Sequence, residues 1–82
     1  MQVKLLFFAA ARDAARQSEV LVQLPAEVGD VQALTLWLGD EYPELSPYLA
    51  SIRIAQNEQF VEASSVIREG DVLAVIPPVA GG

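Results

Sequence analysis

The sequence predicts an α+β fold: a mixed sheet with one main helix packed across one face. Three observations carry this reading. The elements run strand, short helix, strand, long helix, hairpin, strand along the 82 residues. A single long segment has apolar residues at helical spacing. The first and last segments both alternate as strands do.

Each element follows from its residues. "QVKLLFF" is the first strand, with Val3, Leu5 and Phe7 on one face and Lys4, Leu6 and Phe8 on the other. "AAARDAARQ" is rich in helix formers and predicts a short helix or helical turn. "EVLVQL" is the next strand, with Val20, Val22 and Leu24 together, and Pro25 ends it. "GDVQALTLWLGDEYP" is the main helix. Asp30 is its expected N-cap, because a carboxylate there accepts from free first-turn amides. Val31, Leu34, Leu38 and Tyr42 form a stripe suited to covering a sheet, and Pro43 is expected to stop the helix. "ELSPYLA" reads as a connection that includes up to one helical turn. "IRIAQNEQFV" reads as a hairpin whose turn contains Asn57, Glu58 and Gln59. "REGD" is a turn, with Gly70 suited to positive φ. "DVLAVI" is the last strand. This order fits a β-grasp arrangement, in which the first and last strands are parallel neighbours in the middle of the sheet. The reading is one β-grasp domain over residues 1–76 and a flexible C-terminal Gly-Gly tail over residues 77–82.

Composition narrows the function. A chain this short buries only ~60–65% of its unfolded surface, so the core is modest. It has no Cys, so no disulfide or thiolate metal site reinforces it. The apolar share of 52% supplies a core and argues against disorder. With neither Cys nor His there is no thiol nucleophile, no imidazole base and no imidazole zinc ligand. The expectation is a non-catalytic chain with no bound metal or cofactor. Net charge is −6, and the five basic residues form no cluster, which disfavours nucleic acid. No apolar run approaches the ~20 residues of a membrane span. The N-terminal apolar stretch contains Lys4 and lacks a signal-peptide layout, so the chain reads as cytoplasmic.

The outer sheet face is too apolar. Beneath the helix lie Val3, Leu5, Phe7, Leu73 and Val75. The opposite face then shows Leu6 and Phe8 beside Val72, Ala74 and Ile76. A sheet face left in water should alternate to polar residues. Either a loop of the chain covers this patch or a partner does.

That strand runs into "PPVAGG". After Asp71 no side chain is ionised. Pro77-Pro78 favours a stiff polyproline conformation. Residues 77–82, fully extended, reach roughly 20 Å. Gly81-Gly82 lacks Cβ atoms and could thread a narrow channel. Gly-Gly alone would fit a frayed end. Joined to the prolines and the apolar face, it fits delivery of a C-terminal carboxyl group into a partner's pocket.

"VKLLFFAAAR" at the start, "REGDVLAVIPPVAGG" at the end and the overall size resemble the small sulfur-carrier subunits of molybdopterin synthase, a ubiquitin-like family. The ending of two prolines, a valine, a small residue and Gly-Gly carries the resemblance most specifically. The middle, "LTLWLGDEYPELSPYL", matches in pattern only. The resemblance implies that a ubiquitin-activating-like adenylyltransferase uses MgATP to adenylate the Gly82 carboxylate. A sulfur donor then makes the thiocarboxylate. The carrier docks on the large subunit of molybdopterin synthase, in a heterotetramer, and inserts Pro77, Pro78, Val79, Ala80 and Gly81 into that subunit's active site. Sulfur passes to a cyclic pyranopterin phosphate precursor, and two transfers build the dithiolene. Catalytic residues are expected on the large subunit. The resemblance also places Phe8, Phe60 and Ile76 at the partner interface. Alternation alone selects Phe8 and Ile76; Phe60 rests on the resemblance. Three other readings stay open: a ubiquitin-like covalent modifier, a thiamine-pathway sulfur carrier, and a non-covalent adaptor with an inert tail.

Overall fold

A computed structural model describes residues 1–78. The strands are β1 (Gln2–Phe7), β2 (Glu19–Gln23), β3 (Arg53–Gln56), β4 (Gln59–Phe60) and β5 (Val72–Ile76). The helices are α1 (Ala9–Ala15) and α2 (Val31–Glu41), followed by a 3₁₀ helix over Pro43–Tyr48. The sheet order is β2-β1-β5-β3-β4. β1 and β5 run parallel, with Leu5 opposite Leu73 and Phe7 opposite Val75. Every other pairing is antiparallel. This is the β-grasp arrangement expected from the element order.

The face beneath α2 is the core. Val3, Leu5, Phe7, Leu73 and Val75 are at most 2% exposed, as are Leu34 and Leu38 of the helix. Fully burying one such side chain is worth about 1.5–3 kcal/mol. Tyr42 closes one end of this core, its ring edge-on to Phe7 at 5.2 Å between centroids. The Tyr42 hydroxyl accepts from Gln17 Nε2 at 3.3 Å. Burial, with the neighbouring Glu41 charge, raises its pKa against the opposing effect of that hydrogen bond. Asp30 caps α2, its carboxylate accepting from Ala33 N–H at 2.8 Å. The β4–β5 connection is tied to the start of α2 by Val31 N–H to Ser65 C=O and Ile67 N–H to Gly29 C=O, each 3.0 Å.

Only the extent of the hairpin turn needs correction. Pro43 stops α2 as expected, and the connection after it forms the 3₁₀ helix. Proline lacks only an N–H that the first turn of a helix leaves free, so it starts a new turn readily. That turn buries Leu45 completely. The hairpin turn holds Asn57 and Glu58, while Gln59 already pairs with Gln56 in the ladder. Both turn residues have positive φ, 51° and 72°. Those angles define the tight two-residue turn whose twist matches the strands.

Candidate functional site

The outer sheet face carries an open apolar groove of about 470 Å³. Strand register builds it. Leu6 lies opposite Ala74, Ala74 opposite Ala55, and Ala55 opposite Phe60. Two alanines thus form a low floor between taller walls. Phe8 and Ile76 extend the groove along the strands, and Val72, Asn57 and Glu58 close its other end. No loop among the described residues covers it: Phe8 is 48% and Phe60 55% exposed.

Local backbone aims each wall. Phe8 follows the last residue of β1 yet stays extended, at φ −119° and ψ 150°, and caps α1. It therefore keeps the strand's alternation and turns outward, while Phe7 turns inward. Its N–H donates to Val75 C=O at 3.3 Å, and its own C=O accepts from Ala11 N–H at 2.9 Å. On the opposite wall, the Arg53 guanidinium lies over the Phe60 ring, 4.3 Å from its centroid. Such a contact is worth about 0.5–1 kcal/mol where exposed and holds the ring upright. Arg53 also pairs across the ladder with Ile76, the last residue of β5. Pro77 follows, buried, and then Pro78, exposed. The root of the tail therefore leaves from one end of the groove.

A polar clamp locks the hairpin to β5. Asp71, 8% exposed, accepts from Gln56 Nε2, from Asn57 Nδ2 and from Arg68 N–H. Asn57 also exchanges two hydrogen bonds with the Val72 backbone, at 2.8 and 2.9 Å. Ser65 Oγ donates to Gln56 Oε1 at 2.6 Å. Burial pushes the Asp71 pKa up. Donation from Asn57, the Arg68 backbone and Gln56, with the Arg68 charge, outweighs it and holds the carboxyl below its ordinary value.

The structure brings Phe8, Phe60 and Ile76 together on one face, with Leu6, Val72 and Ala74 between them. Pro77 and Pro78 follow directly on Ile76, a residue of that face. Val79, Ala80, Gly81 and Gly82 lie outside the described residues. Sequence reasoning missed Ala55, Arg53, Asn57 and Glu58. Alternation in "RIAQN" places Arg53, Ala55 and Asn57 on one face, but the phase is fixed only once β3 is paired. The described residues contain no grouping of acidic side chains suited to a metal.

The ThiS family model matches residues 5–82, which include every groove residue and the whole tail. The chain belongs to the ThiS family. A relative in Mycobacterium tuberculosis, a molybdopterin synthase sulfur carrier subunit, is 35% identical over 100% of this chain and 99% of its own. The resemblance read from the two ends of the sequence is thus borne out along its whole length. Among solved structures, a candidate molybdopterin converting factor subunit 1 from Pyrococcus furiosus superposes with TM-score 0.82 and 29% identity, covering 96% of this chain and 99% of that one. A complex of subunits 1 and 2 of molybdopterin-converting factor from Helicobacter pylori contains a chain matching at TM-score 0.70 and 25% identity, with both chains fully covered. This ThiS-family fold also occurs in small archaeal modifier protein 1 of Methanosarcina acetivorans, at TM-score 0.78 and 26% identity, covering 99% of this chain and 96% of that one.

Proposed function

We propose that the chain is the sulfur carrier subunit of molybdopterin synthase, bearing sulfur on the Gly82 carboxyl carbon. One observation carries the reading: the open apolar groove and the root of the tail are continuous through Ile76 and Pro77. A docking face joined directly to an extended segment suits a protein that holds a partner with one part and delivers an atom with the other. The family match through Gly82 supports it, as does the existence of a subunit 1–subunit 2 complex in H. pylori.

The chemistry follows from the carboxylate. It is a poor electrophile until oxygen is made a leaving group. Attack of the Gly82 carboxylate on the α-phosphorus of MgATP, on a ubiquitin-activating-like adenylyltransferase, gives an acyl adenylate and pyrophosphate. A sulfur nucleophile then displaces AMP and leaves a thiocarboxylate. This carrier docks through Phe8, Phe60 and Ile76 on the large subunit and inserts residues 77–81 into its active site. The thiocarboxylate sulfur attacks a cyclic pyranopterin phosphate precursor to form a thioester. Water then cleaves the acyl C–S bond, which returns the Gly82 carboxylate and leaves the sulfur on the product. Two such transfers make the dithiolene. The carrier contributes the sulfur and the docking surface; the large subunit contributes the catalytic side chains. No cofactor resides on this chain. No helix among the described residues is long and apolar enough to cross a membrane. We place the carrier in the cytoplasm, where MgATP drives its activation.

Reconstitution tests the reading. Purified chain, activating enzyme, MgATP, a sulfur source and the large subunit should convert precursor to dithiolene product. Deleting Gly82 should abolish conversion and leave docking intact. Normal conversion by the shortened chain would remove the carrier function.

The likeness to an archaeal modifier protein favours a second reading, covalent attachment of Gly82 to lysines of target proteins. Activation would be the same. The product would be an isopeptide bond, seen as higher-mass adducts that survive denaturation of a cell extract.

A further inference from the structure

The tight turn between β3 and β4 places Glu58 at φ 72°. The second position of such a turn is ordinarily glycine, because an L side chain is strained in the left-handed region. The turn before β5 uses glycine, Gly70 at φ 85°, whereas Glu58, like Ala9, Arg16 and Asn57, holds a left-handed backbone with a side chain. The hairpin ladder and the hydrogen bonds of Asn57 hold this turn, but the Glu58 side chain takes no part in them. Among the described residues its carboxylate makes no hydrogen bond, and the ion pairs are Lys4–Glu19 and Arg16–Glu44. Asn57, next to Glu58, is bonded to Asp71 and to both backbone polar groups of Val72. Glu58 therefore stands at one end of the apolar groove, beside Phe60, with an unpaired charge. The other charged side chain of this wall, Arg53, has its guanidinium over the Phe60 ring.

We propose that Glu58 is a specificity residue of the docking face, and that its carboxylate pairs with a lysine or arginine of the large subunit as that subunit closes over the groove. The inference rests on the carrier reading and adds to it the sign of the partner's charge at one place. Uncharged apolar walls supply contact area but little orientation. A single anion at one end of the groove fixes which way round the partner lies. A chain of net charge −6 would in addition attract a partner whose facing surface is basic.

The test measures docking of the intact chain on the large subunit from the same organism, at low and high salt, alongside thermal melting of the free chain. Glu58→Gln keeps the shape and the backbone strain and removes only the charge. It should weaken docking about three- to five-fold at low salt, mostly through slower association, and flatten the salt dependence. Glu58→Lys should weaken it further. Glu58→Gly should lose docking as Glu58→Gln does, while its melting temperature rises by about 2–5 °C as the strain is relieved. Opposite signs in the two measurements separate a docking role from a structural one. If Glu58→Gln and Glu58→Lys dock with the unaltered chain's rate and salt dependence, the inference is wrong and the carrier reading stands. If the unaltered chain does not dock at all, both fall.

Discussion

Asn57 donates its side-chain amide to the Asp71 carboxylate at 3.0 Å, which joins the tip of the β3–β4 hairpin to the residue just before β5. The hairpin carries Phe60 and Glu58, and β5 carries Ile76 and leads to the tail. This contact, together with the β3–β5 ladder, fixes the Phe60 wall of the groove against the strand that carries its floor. Asp71→Asn replaces one acceptor oxygen with a donor and should cost about 2–3 kcal/mol of folding stability, as loss of hydrogen bonds to a buried charge does. Denaturant unfolding measures it.

The same contact sets a pH dependence. A carboxylate held below its ordinary pKa of 3.8 adds stability at every pH above that value and gives it up as pH falls through the lower, folded-state value. The stability gap between the unaltered chain and Asp71→Asn should be steady near neutral pH and close below about pH 4. A gap that widens on acidification would contradict the clamp.

Adjacent phenylalanines should behave oppositely. Phe7 is 2% exposed and packs edge-on against Tyr42, so Phe7→Ala should cost about 3–5 kcal/mol of stability. Phe8 is 48% exposed, so Phe8→Ala should stay within about 1 kcal/mol in the free chain. It should weaken docking on the large subunit by about ten-fold or more. Unfolding of the free chain by Phe8→Ala, with docking unaffected, would mean that the outward face is not the docking face.

The α2 cap offers a local check away from the groove. Asp30→Ala removes the acceptor for Ala33 N–H and should lower stability by about 1 kcal/mol, with Asp30→Ser recovering most of it. Equal midpoints for all three chains in chemical denaturation would show that the cap is idle.

Much of this fold could be read from residue spacing. Alternation in "QVKLLFF" and "DVLAVI" separates the core face from the groove face, because a strand's period is two and both segments are central. The α2 stripe and the Asp30 cap follow from helical spacing and carboxylate chemistry in the same way. Leu45 was illegible because a 3₁₀ turn after a proline has no amphipathic period long enough to recognise. Ala55 and Arg53 were illegible as groove residues because their role comes from pairing with Ala74 and Ile76 on β5, which are far away in sequence. Glu58 was hidden for another reason: its turn position favours glycine, so composition gives no sign of the left-handed backbone there.

The tail can be tested separately from the face. Gly81→Ala adds one methyl group where the carrier reading requires a chain narrow enough to enter the large subunit. It should leave folding and docking unchanged and slow sulfur transfer in single-turnover assays. Transfer at the unaltered rate would show that the channel tolerates a side chain at that position.

The most direct test of the central claim is the intact mass of the chain after incubation with its activating enzyme, MgATP and a sulfur source. The carrier account predicts exchange of one oxygen for sulfur, located at Gly82 by fragmentation and lost when Gly82 is deleted. An unchanged mass under conditions in which the activating enzyme consumes ATP, or sulfur located anywhere but Gly82, would contradict it.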